Sequence, residues 1–234
     1  MELLSEIQLF HGLQDAVITQ LRALAKIQYF KKGALLFNSQ QPNHFFAYII
    51  KGWIKLSRNV ADGSEVIIDI LNDHHIFGDN FIIDSQSESF DAEAISDLEL
   101  LVFPIDYLRE LITTNHQFSL NLLKWTFQKQ NRLTAEMEHL SIKNAAQRIG
   151  CFILRLCTLK NTENVVLKFP YDKALLASRL GMRPETFSRA LAKICAECEI
   201  NSEDETLHIH SVKKVVQFVC QHCSKTYPCS DIMR

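Results

Sequence analysis

The spacing of apolar residues changes along the chain, and each spacing predicts a different kind of element. Before about residue 27 the apolar positions recur every three or four residues, which predicts two short amphipathic helices. From about residue 27 to 103 they form short β-branched and aromatic runs, separated by turn dipeptides such as Lys51-Gly52 and Asp62-Gly63. Many short strands with closely spaced turns are typical of a barrel or a jelly roll.

A long helical stretch follows Pro104 and runs to about residue 140. Its apolar positions keep close to a heptad repeat, which is typical of a helix that packs along a second copy of itself. The alternative is that this helix packs on the strand domain of its own chain. The residues that we predict as a dimer seam are Leu123, Phe127, Leu133, Met137 and Leu140.

Residues 173–189, KALLASRLGMRPETFSR, have the pattern of a helix-turn-helix. Gly181 suits the turn, where a positive φ costs little only for glycine, and Pro184 suits the first position of the second helix. Glu185 and Arg189 then lie one turn apart on the same face. In a major groove, arginine can bind guanine and glutamate can accept a hydrogen bond from cytosine. The alternative is a surface ion pair on an ordinary helix.

The segments on either side of this motif extend it to a winged domain. A basic helix, KNAAQRIGCFILRLC, and a short strand, VVLKF, come before it. After it, EINSEDETLHIH predicts a two-stranded wing that turns near Glu203-Asp204. A last helix, VKKVVQFVC, leads into a tail rich in cysteine.

The distribution of charge supports nucleic-acid binding by this domain. Residues 141–199 carry ten Lys and Arg against five Asp and Glu, whereas the whole chain has a formal net charge of −2. A basic part on an otherwise acidic chain is expected of a protein with one DNA-binding domain. The chain has no apolar run of about 18 residues and no signal-peptide pattern, so we expect a cytoplasmic protein without a membrane span.

The order of these parts resembles that of the Crp/Fnr superfamily of bacterial transcription regulators, over essentially the whole chain. The resemblance is strongest in SIKNAAQRIGCFIL and MRPETFSR. It implies an α+β fold with an N-terminal jelly-roll domain of the cyclic-nucleotide-binding type. The implied parts are a β-roll sensor domain with N-terminal helices at 1–114, a dimerisation helix at 115–140, a winged helix-turn-helix at 141–219 and a cysteine-rich tail at 220–234.

The pattern E-x-x-S-R at the start of the second helix is similar to that of the branch related to the fumarate-nitrate reduction regulator. This resemblance implies a homodimer on a palindrome with TTGAT-like half-sites, and RNA polymerase as a further partner. Glu185, Ser188 and Arg189 would read bases. The residues expected to contact phosphates or position the helix are Arg179, Arg183, Thr186 and Lys193.

No catalytic motif is present. A cupin-type enzyme would need a cluster of His and carboxylate ligands on adjacent strands, and the strand region has no such motif. We therefore predict that the protein is not an enzyme. The remaining alternative to a DNA-binding regulator is a dimeric scaffold that does not bind DNA.

The β-roll sequence predicts that cyclic AMP does not bind. Family members that bind it carry a Gly-Glu pair and later an Arg-Ser pair, which contacts the cyclic phosphate. This chain has Gly78-Asp79 and Glu88-Ser89 in these places. A glutamate where the arginine would stand repels the phosphate, and Asp79 is interpreted as a turn residue.

Five of the seven cysteines lie in the last 40 residues. The spacing Cys220-x2-Cys223-x5-Cys229 suits thiolates that bind one metal or cluster. It is similar to the C-terminal cysteine triplet of family members that carry an iron–sulfur cluster, which implies a [4Fe–4S] cluster and a response to oxygen, nitric oxide or redox state. Cys195 or Cys198, which stands where a C-cap glycine is usual, is the candidate fourth ligand.

Three alternatives to the cluster stay open. Two Cys-x2-Cys pairs, at 195–198 and 220–223, would suit a structural zinc site. The tail thiols could instead be free and redox-active. A haem in the β-roll is the third alternative, with ligand candidates by residue type alone: His11, His44, His74, His75 and His116. Cys151 and Cys157 are interpreted as small core residues.

Overall fold

The computed structural model describes residues 3–38, 45–60, 63–83, 90–157, 163–168, 173–203 and 206–220. The chain divides into two compact units, Met1–Lys129 and Gln130–Arg234. The boundary falls inside the long helix that we predicted at 115–140. No helix in the described ranges combines the length and apolar character needed to cross a membrane.

The first unit contains the predicted strand domain, with helices at both ends. Its helices are α1 (Leu3–Glu6), α2 (Asp15–Leu24), α3 (Asn80–Ile83), α4 (Ile105–Thr114) and the first part of α5 (His116–Ile142), and a 3-10 turn covers Gln8–Phe10. Its strands are β1 (Lys26–Phe30), β2 (Leu35–Phe37), β3 (Phe45–Lys51), β4 (Ile54–Asn59), β5 (Glu65–Leu71), β6 (Ile76–Phe77), β7 (Asp91–Ala94) and β8 (Leu98–Pro104).

These strands form two antiparallel sheets, ordered β1-β8-β3-β6 and β2-β7-β4-β5 among the described residues. Both sheets contribute to one apolar core, which confirms the predicted β-roll. The run FAYIIKGWIKLSR is divided at Gly52, whose φ of +109° is accessible mainly to glycine. A side chain there would also meet the Asp97 carbonyl oxygen at 2.4 Å. This turn sends β3 and β4 into different sheets.

The N-terminal helices and the start of α5 complete this core. The ring of Phe10 contacts Phe103 of β8 at a centroid distance of 5.1 Å and Phe118 of α5 at 6.4 Å. The buried side-chain amide of Asn121 donates to the Leu9 carbonyl at 3.0 Å and to the His11 carbonyl at 2.7 Å. The first turns of α5 therefore pack on the roll of their own chain, as the alternative reading of this helix expected.

The second unit is the predicted winged domain. It contains the end of α5, then α6 (Ala145–Leu156), α7 (Lys173–Arg179), α8 (Pro184–Cys198) and α9 (Val212–Val219). Its strands are β9 (Glu163–Lys168), β10 (Ile200–Glu203) and β11 (Thr206–Ser211), which pair antiparallel in the order β10-β11-β9. The break predicted near residue 140 lies slightly later, because Asn144 caps α6 through a reciprocal capping box with Gln147.

Gly150 of α6 allows α6, α8 and α9 to approach one another closely. A Cβ at this position would lie 2.2 Å from Val219 Cγ2 of α9 and 2.7 Å from Ile194 Cδ1 of α8. Contacts this short are excluded for real side chains, so only glycine permits this helix packing without movement of its neighbours. The position of α8 therefore depends on α6 at this point.

Candidate nucleic-acid interface

Helices α7 and α8 form a helix-turn-helix as the sequence predicts. Gly181 has a φ of +62° in the turn, and its N–H donates to the Ser178 carbonyl at 3.0 Å. Arg183 is the N-cap of α8 in an extended conformation, and Pro184 is the first helical residue. Because proline has no N–H, it loses no hydrogen bond at this position.

The two faces of α8 differ sharply in exposure. The buried face consists of Phe187, Ala190, Leu191, Ile194 and Cys198. Glu185, Ser188 and Arg189 are all exposed on the other side, and Thr186 is partly buried. Arg189 Nε donates to the backbone carbonyl of Glu185 at 3.4 Å, which leaves the rest of its guanidinium able to bind a base.

The basic residues near α8 fall into two groups. Arg183 and Lys193 are exposed, as a phosphate contact requires. Arg179 is not available for a phosphate contact. Its side chain is only 13% exposed, and both oxygens of Glu136 accept from its Nη2 at 3.0 Å. We therefore correct the expected role of Arg179 from phosphate contact to a structural contact.

Glu136 connects the end of α5 to the winged domain. Besides Arg179 of α7, it accepts from Arg155 Nη1 of α6 at 3.0 Å, and the Arg155 side chain is 19% exposed. Charge-assisted hydrogen bonds of this kind are directional and stronger than neutral ones. Neither the heptad pattern nor the charge count indicated this cluster, since its members are far apart in sequence.

The predicted seam residues of α5 are exposed in the single chain. Leu123 and Phe127 in the first unit, and Leu133, Met137 and Leu140 in the second, are between 57% and 71% exposed. Large apolar side chains repeated along one helix are normally covered by a partner. Their arrangement suits a dimer seam, although the first turns of the same helix pack on the roll.

The C-cap of α8 is not the cysteine that the sequence suggested. Cys198 is the last residue of α8, and the left-handed C-cap is Glu199, with a φ of 54°. Cys198 is fully buried, its Sγ lies 3.8 Å from the Lys214 carbonyl, and burial raises its pKa to about 11. Its side chain packs in the apolar core beside α9, and its role as a fourth ligand stays a prediction.

Cys195 and Cys220 are partly exposed, and burial raises the pKa of the Cys195 thiol. Cys223 and Cys229 lie outside the described residues, as do His44 and the Glu88-Ser89 pair. Within the described ranges, no group of three or more His, Cys, Asp and Glu side chains is arranged to hold a metal ion. The predicted cluster therefore stays a prediction.

Asp79 in the β-roll has a different role from the turn residue we expected. It is 8% exposed, and its carboxylate accepts from Trp125 Nε1 at 2.9 Å and from Lys129 Nζ at 3.0 and 3.2 Å. Trp125 and Lys129 both belong to α5. The carboxylate that follows Gly78 is thus paired with the long helix inside the first unit, and sequence spacing alone could not identify its partners.

His74, the candidate haem ligand that the structure describes most fully, is held by neighbouring side chains. Its Nδ1 lies 2.6 Å from the Tyr48 hydroxyl and 3.0 Å from Glu6 Oε2. The Tyr48 hydroxyl also donates to Glu6, and this bond lowers the pKa of the Glu6 carboxyl. The three residues together fasten α1 to the roll.

Residues 27–115 match the model of the cyclic nucleotide-binding domain. A CRP-like cAMP-activated global transcriptional regulator of Mycobacterium tuberculosis is 23% identical over 92% of this chain and 98% of its own length. Over nearly its whole length the chain is thus similar to a regulator of the Crp/Fnr type, and residues 27–115 form a cyclic nucleotide-binding domain. A putative cyclic nucleotide binding protein from Ruegeria pomeroyi has 26% identity and a TM-score of 0.72, covering 90% of this chain and 92% of that structure.

FixK2 from Bradyrhizobium japonicum has the same fold, with a TM-score of 0.70 at 19% identity over 82% of this chain and 95% of the other. The matched curated relatives include transcription regulators, in agreement with the prediction that this chain is not an enzyme. Their coverage extends beyond the cyclic nucleotide-binding domain to the winged domain. The comparisons thus support a DNA-binding transcription regulator.

Proposed function

We propose that this protein is a homodimeric transcription regulator that reads a palindromic DNA site with α8. The observation that carries the proposal is the division of α8 into a packed apolar face and an exposed face with Glu185, Ser188 and Arg189. The N-terminal residues of the second helix are those that reach base edges in helix-turn-helix proteins. Arginine and glutamate at these positions suit recognition of a G·C pair.

Exposed basic residues supply the sequence-independent part of binding. Arg183 precedes α8 and Lys193 lies on it two turns after Thr186, and both are exposed. Each phosphate that such a residue neutralises releases counterions, which makes the affinity depend on salt. With Arg179 paired to Glu136, we assign phosphate contacts to Arg183 and Lys193 only.

The exposed seam of α5 supports the homodimer. A second copy packed along the same stripe would cover the apolar side chains from Leu123 to Leu140 and place two copies of α8 about a two-fold axis. Two-fold symmetry in the protein matches a palindromic DNA site. The resemblance of E-x-x-S-R to the branch of the fumarate-nitrate reduction regulator implies TTGAT-like half-sites.

The signal that we propose is oxygen, nitric oxide or redox state, sensed by an iron–sulfur cluster in the tail. Its support is the Cys220-x2-Cys223-x5-Cys229 spacing. The fourth ligand would be Cys195, Cys198 or a residue of another type. A bound cluster would supply a redox-sensitive group beside the end of α9, where Cys220 lies.

We also propose that the β-roll does not bind cyclic AMP, even though relatives of this chain are named for that ligand. One support is the sequence, with Glu88 in place of the phosphate-binding arginine. The other is Asp79, whose carboxylate is already paired with Lys129 and Trp125 and is only 8% exposed. A hydroxyl group of cyclic AMP could bind the Asp79 carboxylate only by displacing Lys129 or Trp125.

Substitution of Arg189 by alanine should cost about 1–3 kcal/mol per half-site and relax specificity at one base pair. Fluorescence anisotropy with a TTGAT palindrome and with variants of each base pair measures both effects. Lys193→Ala is the matched control. It should weaken binding to all sequences alike and lower the slope of log affinity against log salt concentration by about 1. Equal loss on all sequences for Arg189→Ala would contradict base reading.

Two charges in the seam should separate the dimer. Leu133→Glu together with Met137→Glu is expected to raise the dimer dissociation constant by roughly 100-fold or more, because each buried unpaired carboxylate costs several kcal/mol. Sedimentation equilibrium measures the change. Gln128→Glu adds a carboxylate on the opposite, exposed side of α5 and should leave the dimer intact; a double variant that stays dimeric would disprove the seam.

The protein purified without oxygen should be brown, with broad visible absorbance and bound iron and sulfide, and air or nitric oxide should bleach it. Cys220→Ser should remove the absorbance, whereas Cys157→Ser, which changes a buried core thiol, should retain it. A colourless protein containing zinc, or no metal at all, would overturn the cluster.

Titration calorimetry with cyclic AMP should show no saturable binding. The Mycobacterium tuberculosis regulator, which is described as activated by this nucleotide, serves as the positive control under the same conditions. A dissociation constant in the micromolar range for this chain would show that neither Glu88 nor the pairing of Asp79 prevents binding.

A further inference from the structure

A buried lysine and a cysteine meet at the start of the winged domain. Lys143 lies in the short connection between α5 and α6 and is only 8% exposed. Its Nζ lies 3.0 Å from Sγ of Cys151, two turns along α6. Fully buried lysines are rare because the ammonium loses its hydration. A nearby group that can become negative offsets this loss and stabilises the charged lysine.

This environment favours the reactive form of the thiol. A thiolate next to an ammonium is stabilised by its charge, and the thiolate is the nucleophilic form of cysteine. Cys151 is also partly exposed rather than buried. Cys157, six residues further along the same helix region, is the opposite case: it is buried, and burial raises its pKa to about 11.

We propose that Cys151 is a site of oxidation by hydroperoxides, with Lys143 as the group that stabilises its thiolate. The site lies on α6, outside the exposed face of α8 that carries Glu185, Ser188 and Arg189. It does not depend on the DNA-reading role of α8 or on a cluster in the tail. It replaces our interpretation of Cys151 as a small core residue.

The reaction is a two-electron oxidation of the sulfur. The thiolate attacks the terminal oxygen of a hydroperoxide ROOH, an S–O bond forms and the O–O bond breaks. The products are the sulfenic acid of Cys151 and the alkoxide RO⁻, which takes a proton from the Lys143 ammonium and leaves as ROH. A charged pair thereby becomes two neutral groups, a sulfenic acid and an amine.

Oxidation of Cys151 would act on the connection between α5 and α6, because Lys143 lies in it. The backbone N–H of Lys143 donates to the His139 carbonyl at 3.0 Å, in the last turn of α5. The neighbouring Asn144 is the N-cap of α6. Loss of the charged pair therefore changes the interactions at the residue that joins the dimer helix to the winged domain.

Peptide-level mass spectrometry on the intact full-length protein tests the proposal, because it quantifies each cysteine separately. After treatment with a hydroperoxide and a sulfenic-acid-specific reagent such as dimedone, Cys151 should be labelled at least about 10-fold faster than Cys157. Lys143→Met should reduce this rate about 10-fold or more, and Lys143→Arg, which keeps the charge, should restore most of it.

The pH dependence of iodoacetamide labelling in the unmodified protein provides a second test that needs no variant. The Cys151 rate should be half-maximal clearly below the usual thiol value of about 8.5. Reaction of Cys151 no faster than that of Cys157, or a half-maximal pH at or above the usual value, would overturn the proposal. An unchanged rate in a folded Lys143→Met protein would do the same.

Discussion

The packing of three helices around Gly150 is the constraint on which the reading surface depends. α6 approaches α8 and α9 so closely that a methyl group at this position would overlap both Ile194 and Val219. This packing places the apolar face of α8 against α6 and leaves its polar face exposed. Recognition of bases by a few side chains needs precise placement, because small displacements of the donor atoms weaken bidentate hydrogen bonds.

Several basic side chains of the winged domain are paired or buried, which its composition does not indicate. Arg155 and Arg179 both donate to Glu136, and Lys143 is buried next to a thiol. These three residues belong to the basic segment 141–199 but are directed into the protein. The positive charge available to DNA is therefore smaller than the residue count.

The parts that could be predicted from sequence are those encoded by neighbouring residues. The β-roll, the long helix and the helix-turn-helix follow from apolar periodicity and from Gly181 and Pro184. The partners of Asp79 and of Arg179 could not be predicted, because they are brought together only by the tertiary fold. Cys198 shows the same limit: its spacing could not indicate that the packing of α8 buries its side chain.

The turn at Gly52 also has a consequence for how the roll is assembled. Because β3 and β4 leave it for different sheets, β3 pairs with β8, as in Phe46 opposite Phe103, and β4 pairs with β7, as in Ile54 opposite Ala94. Each pairing closes a long loop, and the entropy lost in bringing such distant segments together slows folding. A nascent chain therefore cannot complete its roll until β8 has been synthesised.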